Sequence, residues 1–226
     1  MSKLTLSCRS YPDFFDLSSL LSEEQNIIKD TARDFILKEA MPLIREAYQK
    51  EEFPLKLIDR FGELGLLGCN LDGYGLPGMD EISYGLVMRE LERCDSGLRS
   101  FASVQGSLVM YPIHSYGSEA QKEEWLPKLA SGKSVGCFGL TEPQGGSDPS
   151  NMLTKAEKKK DHWLLSGAKM WITNGNLAEI SVVWAATDEG VRGFLVPLDS
   201  PGVKVQKMKG KLSLRASVTS ELYFDH

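Results

Sequence analysis

A chain of 226 residues is long enough to bury one large core or two modest ones. Its 42% hydrophobic and 25% charged content excludes wholesale disorder, and a net charge of −5 argues against a broad nucleic-acid or anionic-membrane footprint while leaving room for a local basic pocket. No apolar run approaches the length of a bilayer span. The stretch from Met1 to Ser19 mixes Asp13 and Asp16 with aromatic residues and has neither an apolar h-region nor an Arg-rich amphipathic pattern. It reads as a mature cytoplasmic start, and a processed protein of the mitochondrial matrix would look the same.

Helical periodicity governs residues 1–134. Ser22 followed by Gln25 is a capping-box signature, after which Ile28, Ala32, Phe35 and Ile36 recur on one face. Pro42 is expected to kink or end that helix. A second helix is predicted from Pro54, with Leu57, Ile58, Phe61 and Leu64 inward and a stop at Gly65 and Gly68. Gly73, Gly75, Pro77 and Gly78 make Leu71 to Met79 a loop. Helical spacing resumes at Tyr84, Val87, Met88 and Leu91 and again, after Asp95-Ser96-Gly97, at Phe101, Val104 and Leu108. Ser118 with Gln121 caps one more helix, which is expected to end near Ser131-Gly132.

From Val135 the pattern changes to short segments rich in Val, Ile, Trp, Phe and Thr, at 162–173, 179–187, 191–198, 203–208 and 217–225, divided by Gly, Asn, Asp or Pro. Lys158-Lys159-Lys160-Asp161 reads as the solvated tip of a hairpin. The fold class expected is therefore α+β: an all-helical domain over 1–134, then a β-sandwich or barrel-like domain over 135–226. Glu221 to His226 looks like the middle of a strand, so the β domain is expected to be truncated. Cys8, Cys69, Cys94 and Cys137 lie far apart, as do His114, His162 and His226, which points to buried reduced thiols and no metal site.

Two strings carry chemistry. The first is Cys137-Phe-Gly-Leu-Thr-Glu-Pro-Gln-Gly-Gly-Ser-Asp-Pro149, a strand running into a glycine turn. The Thr141 hydroxyl and nearby backbone N–H groups are donors for an electron-rich ring edge, and Gly145-Gly146-Ser147 lets the main chain approach a pyrophosphate. A Gly-Gly-Ser turn by itself is usually only a turn. The second string is Gly167-Ala-Lys-Met-Trp-Ile-Thr-Asn174, which by itself is a buried amphipathic strand with a core Trp. Their order and their separation of about 30 residues make the pair specific.

Together these strings resemble the signatures of the acyl-CoA dehydrogenases, and the likeness extends over nearly the whole chain. The subfamily it most resembles is glutaryl-CoA dehydrogenase, on Met88 to Ser103, Tyr116 to Gln121 and Gly210 to Ser217. The resemblance implies FAD as cofactor, contacted by Phe138, Leu140, Thr141, Gly146, Ser147, Trp171, Ile172 and Thr173, with Trp171 over the ring edge and Thr173 toward its N5 side. Asn151 departs from the Gly, Ser or Ala usual in the family, which bears on local packing. The resemblance also implies an acyl-CoA substrate, glutaryl-CoA, held by Glu92, Arg99, Ser100, Ser103 and Ser147, with Arg99 pairing the distal carboxylate. Without the resemblance, Arg99 would be read as a helix-surface residue paired with Asp95 or Glu92.

In that family the reaction removes an α proton, passes a β hydride to the flavin and, for glutaryl-CoA, continues through decarboxylation to crotonyl-CoA. Its base is a glutamate from a C-terminal helical bundle for which this chain has no counterpart, so no catalytic residue is assigned and residues 1–226 alone are expected to be inactive and aggregation-prone. The same bundle completes the flavin adenosine site and drives tetramer assembly, and electron-transfer flavoprotein is the implied acceptor. A short- or branched-chain acyl-CoA dehydrogenase and a non-catalytic flavin or acyl-CoA binding module are the competing expectations.

Overall fold

The structure is a computed structural model that describes residues 14–225; Cys8, Asp13 and His226 lie outside the described residues. Helix α1 (Glu23–Phe35) opens on the expected capping box: Gln25 N donates to Ser22 Oγ at 3.1 Å, and Ser22 N donates to Gln25 Oε1 at 3.0 Å. Pro42 does not end the helical path. One wide π turn, Ile36–Ala40, leads straight into α2 (Met41–Lys50), so Pro42, which has no N–H to donate, follows directly on a turn whose bonds are already widened. Helix α3 (Lys56–Glu63) buries Leu57 and Phe61, with Ile58 and Leu64 packed at the margin.

Helices α4 (Glu81–Cys94) and α5 (Ser96–Ser103) meet at Asp95, whose carboxylate accepts from Gly97 N at 2.7 Å. The expectation of Phe101, Val104 and Leu108 on one inward face fails at its last member. Phe101 and Val104 are buried, but the backbone widens to π turns over Val104–Met110, so Leu108 is 40% exposed and Val109 and Met110 take the inward places. Helices α6 (Tyr111–Tyr116) and α7 (Glu119–Ala130) follow, α7 with its Ser118–Gln121 capping box.

Seven strands form one mixed sheet: β1 (Gly136–Gly139), β2 (Lys155–Lys158), β3 (Trp163–Thr173), β4 (Ile180–Thr187), β5 (Gly190–Pro197), β6 (Val203–Lys207) and β7 (Thr219–Asp225). Strand β5 runs antiparallel to β4 along its whole length, so β1 and then β2 share the other edge of β4, both parallel to it. From β2 the sheet continues antiparallel through β3 and β7 to β6. The lysine run 158–160 is at the β2–β3 turn, as expected; β2 itself is a strand that the sequence pattern did not single out. The helical core is continuous with the sheet, because Ile180, Val182 and Val218 belong to it, and a smaller core of Cys137, Ile172, Val183, Leu222 and Phe224 lies within the sheet.

Candidate functional site

Strand β1 delivers the chain to a tight turn. Glu142 N donates to Gly145 O at 3.0 Å and Gly145 N to Glu142 O at 3.2 Å, leaving Pro143 and Gln144 at the tip. Beyond it the main chain lies open: a Cβ built at Gly145 meets nothing within 4 Å, and one at Gly146 meets only Thr141 Cγ2 at 3.3 Å. Leu140, Gly145, Gly146, Ser147, Asp148 and Asn151 line an open cleft of 370 Å³. Asp148 accepts from Ser150 Oγ and from Asn151 Nδ2, which holds its carboxyl below the usual range. The departure at Asn151 thus closes the turn on its own Asp148.

Strand β3 carries the second string to the same place, where Met170 N donates to Thr141 O at 2.8 Å. Its register against β7 slips between Lys169 and Ile172, and Trp171 takes a φ of 63°. The slip breaks the strict alternation of the strand. Lys169 and Ile172 are both buried, while Trp171 is turned out with 57% of its surface exposed. Thr173 is half-buried two residues on.

The side chains assigned from the sequence therefore divide. Thr141 is bonded to Met170, next to Trp171; Gly146 and Ser147 lie on the open turn, and with Leu140 they line the cleft. Phe138 instead packs on the helical core and edge-on to Trp184, with ring centroids 6.3 Å apart, and Ile172 is in the sheet core. Neither residue lines the cleft.

Beneath the turn lies a buried ion pair. Lys169 Nζ donates to Glu142 Oε1 at 2.9 Å and to Leu140 O at 3.0 Å. Glu142 also accepts from Leu153 N at 2.6 Å, from Thr154 N at 2.8 Å and from the Gln144 amide. Burial would raise the Glu142 carboxyl, but the Thr154 and Lys169 side chains and the two backbone N–H groups outweigh it and hold it at about 2. Burial lowers Lys169, partly opposed by Glu142. Both residues stand inside the two strings read from the sequence, yet neither had been given a role. The signal was Lys169, the single charge of the second string, and Glu142, the first charge after the Cys137–Thr141 run of the first.

At the α4–α5 junction Arg99 Nε donates to Glu92 Oε2 at 2.8 Å, and Ser96 Oγ donates to Glu92 Oε1. The Ser96 hydroxyl first and the Arg99 guanidinium second keep the Glu92 carboxyl below its ordinary value. Ser103 Oγ donates to Ser100 O at 3.2 Å. Burial raises Asp95, with Gly97 N opposing it. A Cβ at Gly97 would lie 2.8 Å from Ser217 N, so α5 approaches the segment 216–217 that only glycine permits. Asn174 Nδ2 reaches Phe101 O at 3.5 Å, which ties α5 to the end of β3.

Other candidates stay outside the site. Burial pushes the thiols of Cys69 and Cys137 up to about 11 and about 12, while Cys94 is only half-buried. Among the described residues no three His, Cys, Asp or Glu side chains gather as a metal site, and no helix is long and apolar enough to cross a membrane.

The geometry can be set beside known proteins. The family model "Acyl-CoA dehydrogenase, N-terminal domain" matches residues 22–133, and "Acyl-CoA dehydrogenase, middle domain" matches residues 137–226. The chain belongs to the acyl-CoA dehydrogenase family. The short-chain specific acyl-CoA dehydrogenase of Bos taurus mitochondria is 37% identical over 211 residues, 91% of this chain and 51% of that protein. A glutaryl-CoA dehydrogenase from Mycobacterium smegmatis, solved in complex with FADH2, superposes with a TM-score of 0.92 at 52% identity, covering 94% of this chain and 55% of that one. A glutaryl-coenzyme A dehydrogenase in complex with glutaryl-CoA superposes with a TM-score of 0.87 at 36% identity, covering 91% of this chain and 54% of that one. This acyl-CoA dehydrogenase chain thus spans about half the length of the relatives it matches.

Proposed function

We propose that this chain provides the flavin bed and the acyl-chain pocket of an FAD-dependent dehydrogenase acting on glutaryl-CoA, with decarboxylation to crotonyl-CoA. The observation that supports the reading is the 2.8 Å bond from Met170 N to Thr141 O, which joins the segment carrying an exposed Trp171 to the segment that leads into the open Gly145–Gly146 turn. The residues present suit FAD: the Thr141 and Thr173 hydroxyls are donors for a ring edge, Trp171 offers a flat apolar surface, and Gly146 and Ser147 suit a pyrophosphate. When bound, FAD supplies the hydride acceptor. Arg99 is the proposed partner of the distal carboxylate, with Glu92, Ser100 and Ser103 around it. The division of the chain at residues 134/135, the assembly as a homotetramer and electron-transfer flavoprotein as acceptor belong to the same proposal.

No base is assigned within residues 1–226. A general base works best with a pKa near the working pH, and Glu142, held at about 2, is far too weak. Glu92 is likewise held down and already bonded. The base is proposed to come from the remaining half of the length that relatives have. A second reading is favoured by the Arg99–Glu92 bond itself, which a purely structural Arg99 would also make: a short- or branched-chain acyl-CoA as substrate. The test is anaerobic bleaching of the flavin band, with glutaryl-CoA and butyryl-CoA compared in the complete protein. Faster bleaching and crotonyl-CoA release with glutaryl-CoA are expected; indifference to the distal carboxylate supports the second reading. Residues 1–226 alone should not bleach, and rapid bleaching would place a base within them.

A further inference from the structure

We propose that the buried Lys169–Glu142 pair is a positioning device, which locks the Thr141 turn to the Trp171 bulge so that the flavin surface stands formed before the cofactor arrives. This rests on reading those two segments as the flavin bed. The pair flanks a backbone bond that joins them: Glu142 directly follows Thr141, Lys169 directly precedes Met170, and Met170 N donates to Thr141 O at 2.8 Å. Their side chains are 0% and 3% exposed, so neither charge is there for solubility.

The ammonium is fully used. Lys169 Nζ holds Glu142 Oε1 at 2.9 Å and Leu140 O at 3.0 Å, with Met152 Sδ at 3.9 Å. The carboxylate in turn gathers Leu153 N, Thr154 N and the Gln144 amide. A turn, a strand and the segment leading to β2 thus meet on one neutral pair. Stability alone is a poor reason to bury it, since neutral side chains of similar volume often serve a fold as well or better.

A second observation says what is being held. A bulky residue at positive φ is a strained arrangement, and such strain persists only where the surroundings over-determine it. Trp171, at φ 63°, is that residue, and its strain turns its indole out of the sheet. Relaxed alternation from Lys169 would instead point Trp171 inward and Ile172 outward. Because both charges are internally neutralised, the pair acts on the flavin through geometry.

The experiment uses the complete protein with FAD as probe and compares wild type, Lys169→Met, Glu142→Gln and the neutral double variant. Each single variant leaves one buried charge unpaired and should lose at least about tenfold in FAD affinity. The double variant decides, even where the single ones fail to fold. It should recover thermal stability while its FAD affinity stays at least about tenfold weaker and the visible circular dichroism of its bound flavin changes. Wild-type affinity and visible spectrum in a folded double variant would overturn the proposal. A third measurement needs no flavin: hydrogen exchange at Met170, Leu153 and Thr154 should rise together in the double variant, and unchanged protection would also overturn it. Failure of the complete wild-type protein to bind FAD sinks the flavin-bed reading instead, and exchange alone then judges whether the pair couples the two segments.

Discussion

Arg99 is held at one edge and open to use at another. Glu92 engages its Nε at 2.8 Å, so the terminal nitrogens can still present a planar, two-donor edge to a carboxylate. Glu92 fixes the Nε edge of a guanidinium whose side chain is 39% exposed, and under the proposed function that bond orients it for a chain ending in a second acid group. Replacing Arg99 by Leu should lower glutaryl-CoA turnover about 100-fold or more, because a desolvated carboxylate is left unpaired, while butyryl-CoA turnover changes by only a few fold. Steady-state kcat/KM on the two substrates is the measurement, and equal losses would make Arg99 a structural residue. The sequence could name this arginine and both of its candidate partners. It could not choose Glu92 over Asp95, because Asp95 is taken by the α5 N-terminus through Gly97 N, a fact of cap geometry. Similarly, Thr141, Ser147 and Trp171 were legible as residue types in strings. The Glu142–Lys169 pair, 27 residues apart in sequence, required the fold to bring its ends together.

At the scale of elements, strand β3 carries the second string of the candidate site, and at Gly167 it passes close against Thr154. Its φ is +146°, and a Cβ there would stand 2.6 Å from Thr154 Oγ1 and 2.7 Å from Thr154 Cα. Thr154 is fixed in turn by Glu142, so it cannot step aside without disturbing the ion pair. Gly167→Ala should therefore cost on the order of 3 kcal/mol, read from urea unfolding, through both strain and contact. The carboxylate below adds a pH signature. Its folded pKa, about 2, is below the 4.5 of a free glutamate, so its contribution is complete above about pH 4.5 and is lost as pH falls toward about 2. Glu142→Gln should flatten the stability profile in that window and leave the slope above it alone; an unchanged acid limb would show that the pair is not what acid breaks. Periodicity revealed β3 as a strand but could not reveal its bulge, since one inserted residue reads as an ordinary lapse in alternation. The π turns over Val104–Met110 escaped for the same reason, and Leu108 was misassigned by counting 3.6 residues per turn through them.

The helices and the sheet are distinct in pattern but share one interior. Ile180, Val182 and Val218 of the sheet half belong to the same buried cluster as Phe61, Leu91 and Phe101. Gln105, fully buried within the π turns, is the polar joint between them. Its amide donates to Leu129 O at 3.0 Å and Ser134 O at 2.9 Å, and its carbonyl accepts from Gly136 N at 2.8 Å. One side chain thus binds the end of α7, the connecting segment and the start of β1. A second clasp lies across the molecule, where Arg215 donates to Tyr48 O and Gln49 O and pairs with Glu51, and Gly210 N donates to Glu51 Oε2 at 2.8 Å. Two halves joined this way should unfold as one unit, because separating them would expose part of each core and strand the groups that Gln105 satisfies. Gln105→Ala leaves those three backbone groups without their partner in a dry place and should cost on the order of 3 kcal/mol. Far-ultraviolet dichroism reports mainly the helices, and tryptophan fluorescence, read in a Trp125→Phe background that removes the tryptophan of α7, reports the sheet through Trp163, Trp171 and Trp184. Both should move to the same lower denaturant midpoint in the variant. If fluorescence alone shifted while the helical signal kept its wild-type midpoint, the halves would be stable separately, and the shared interior would be an adhesion between two finished domains.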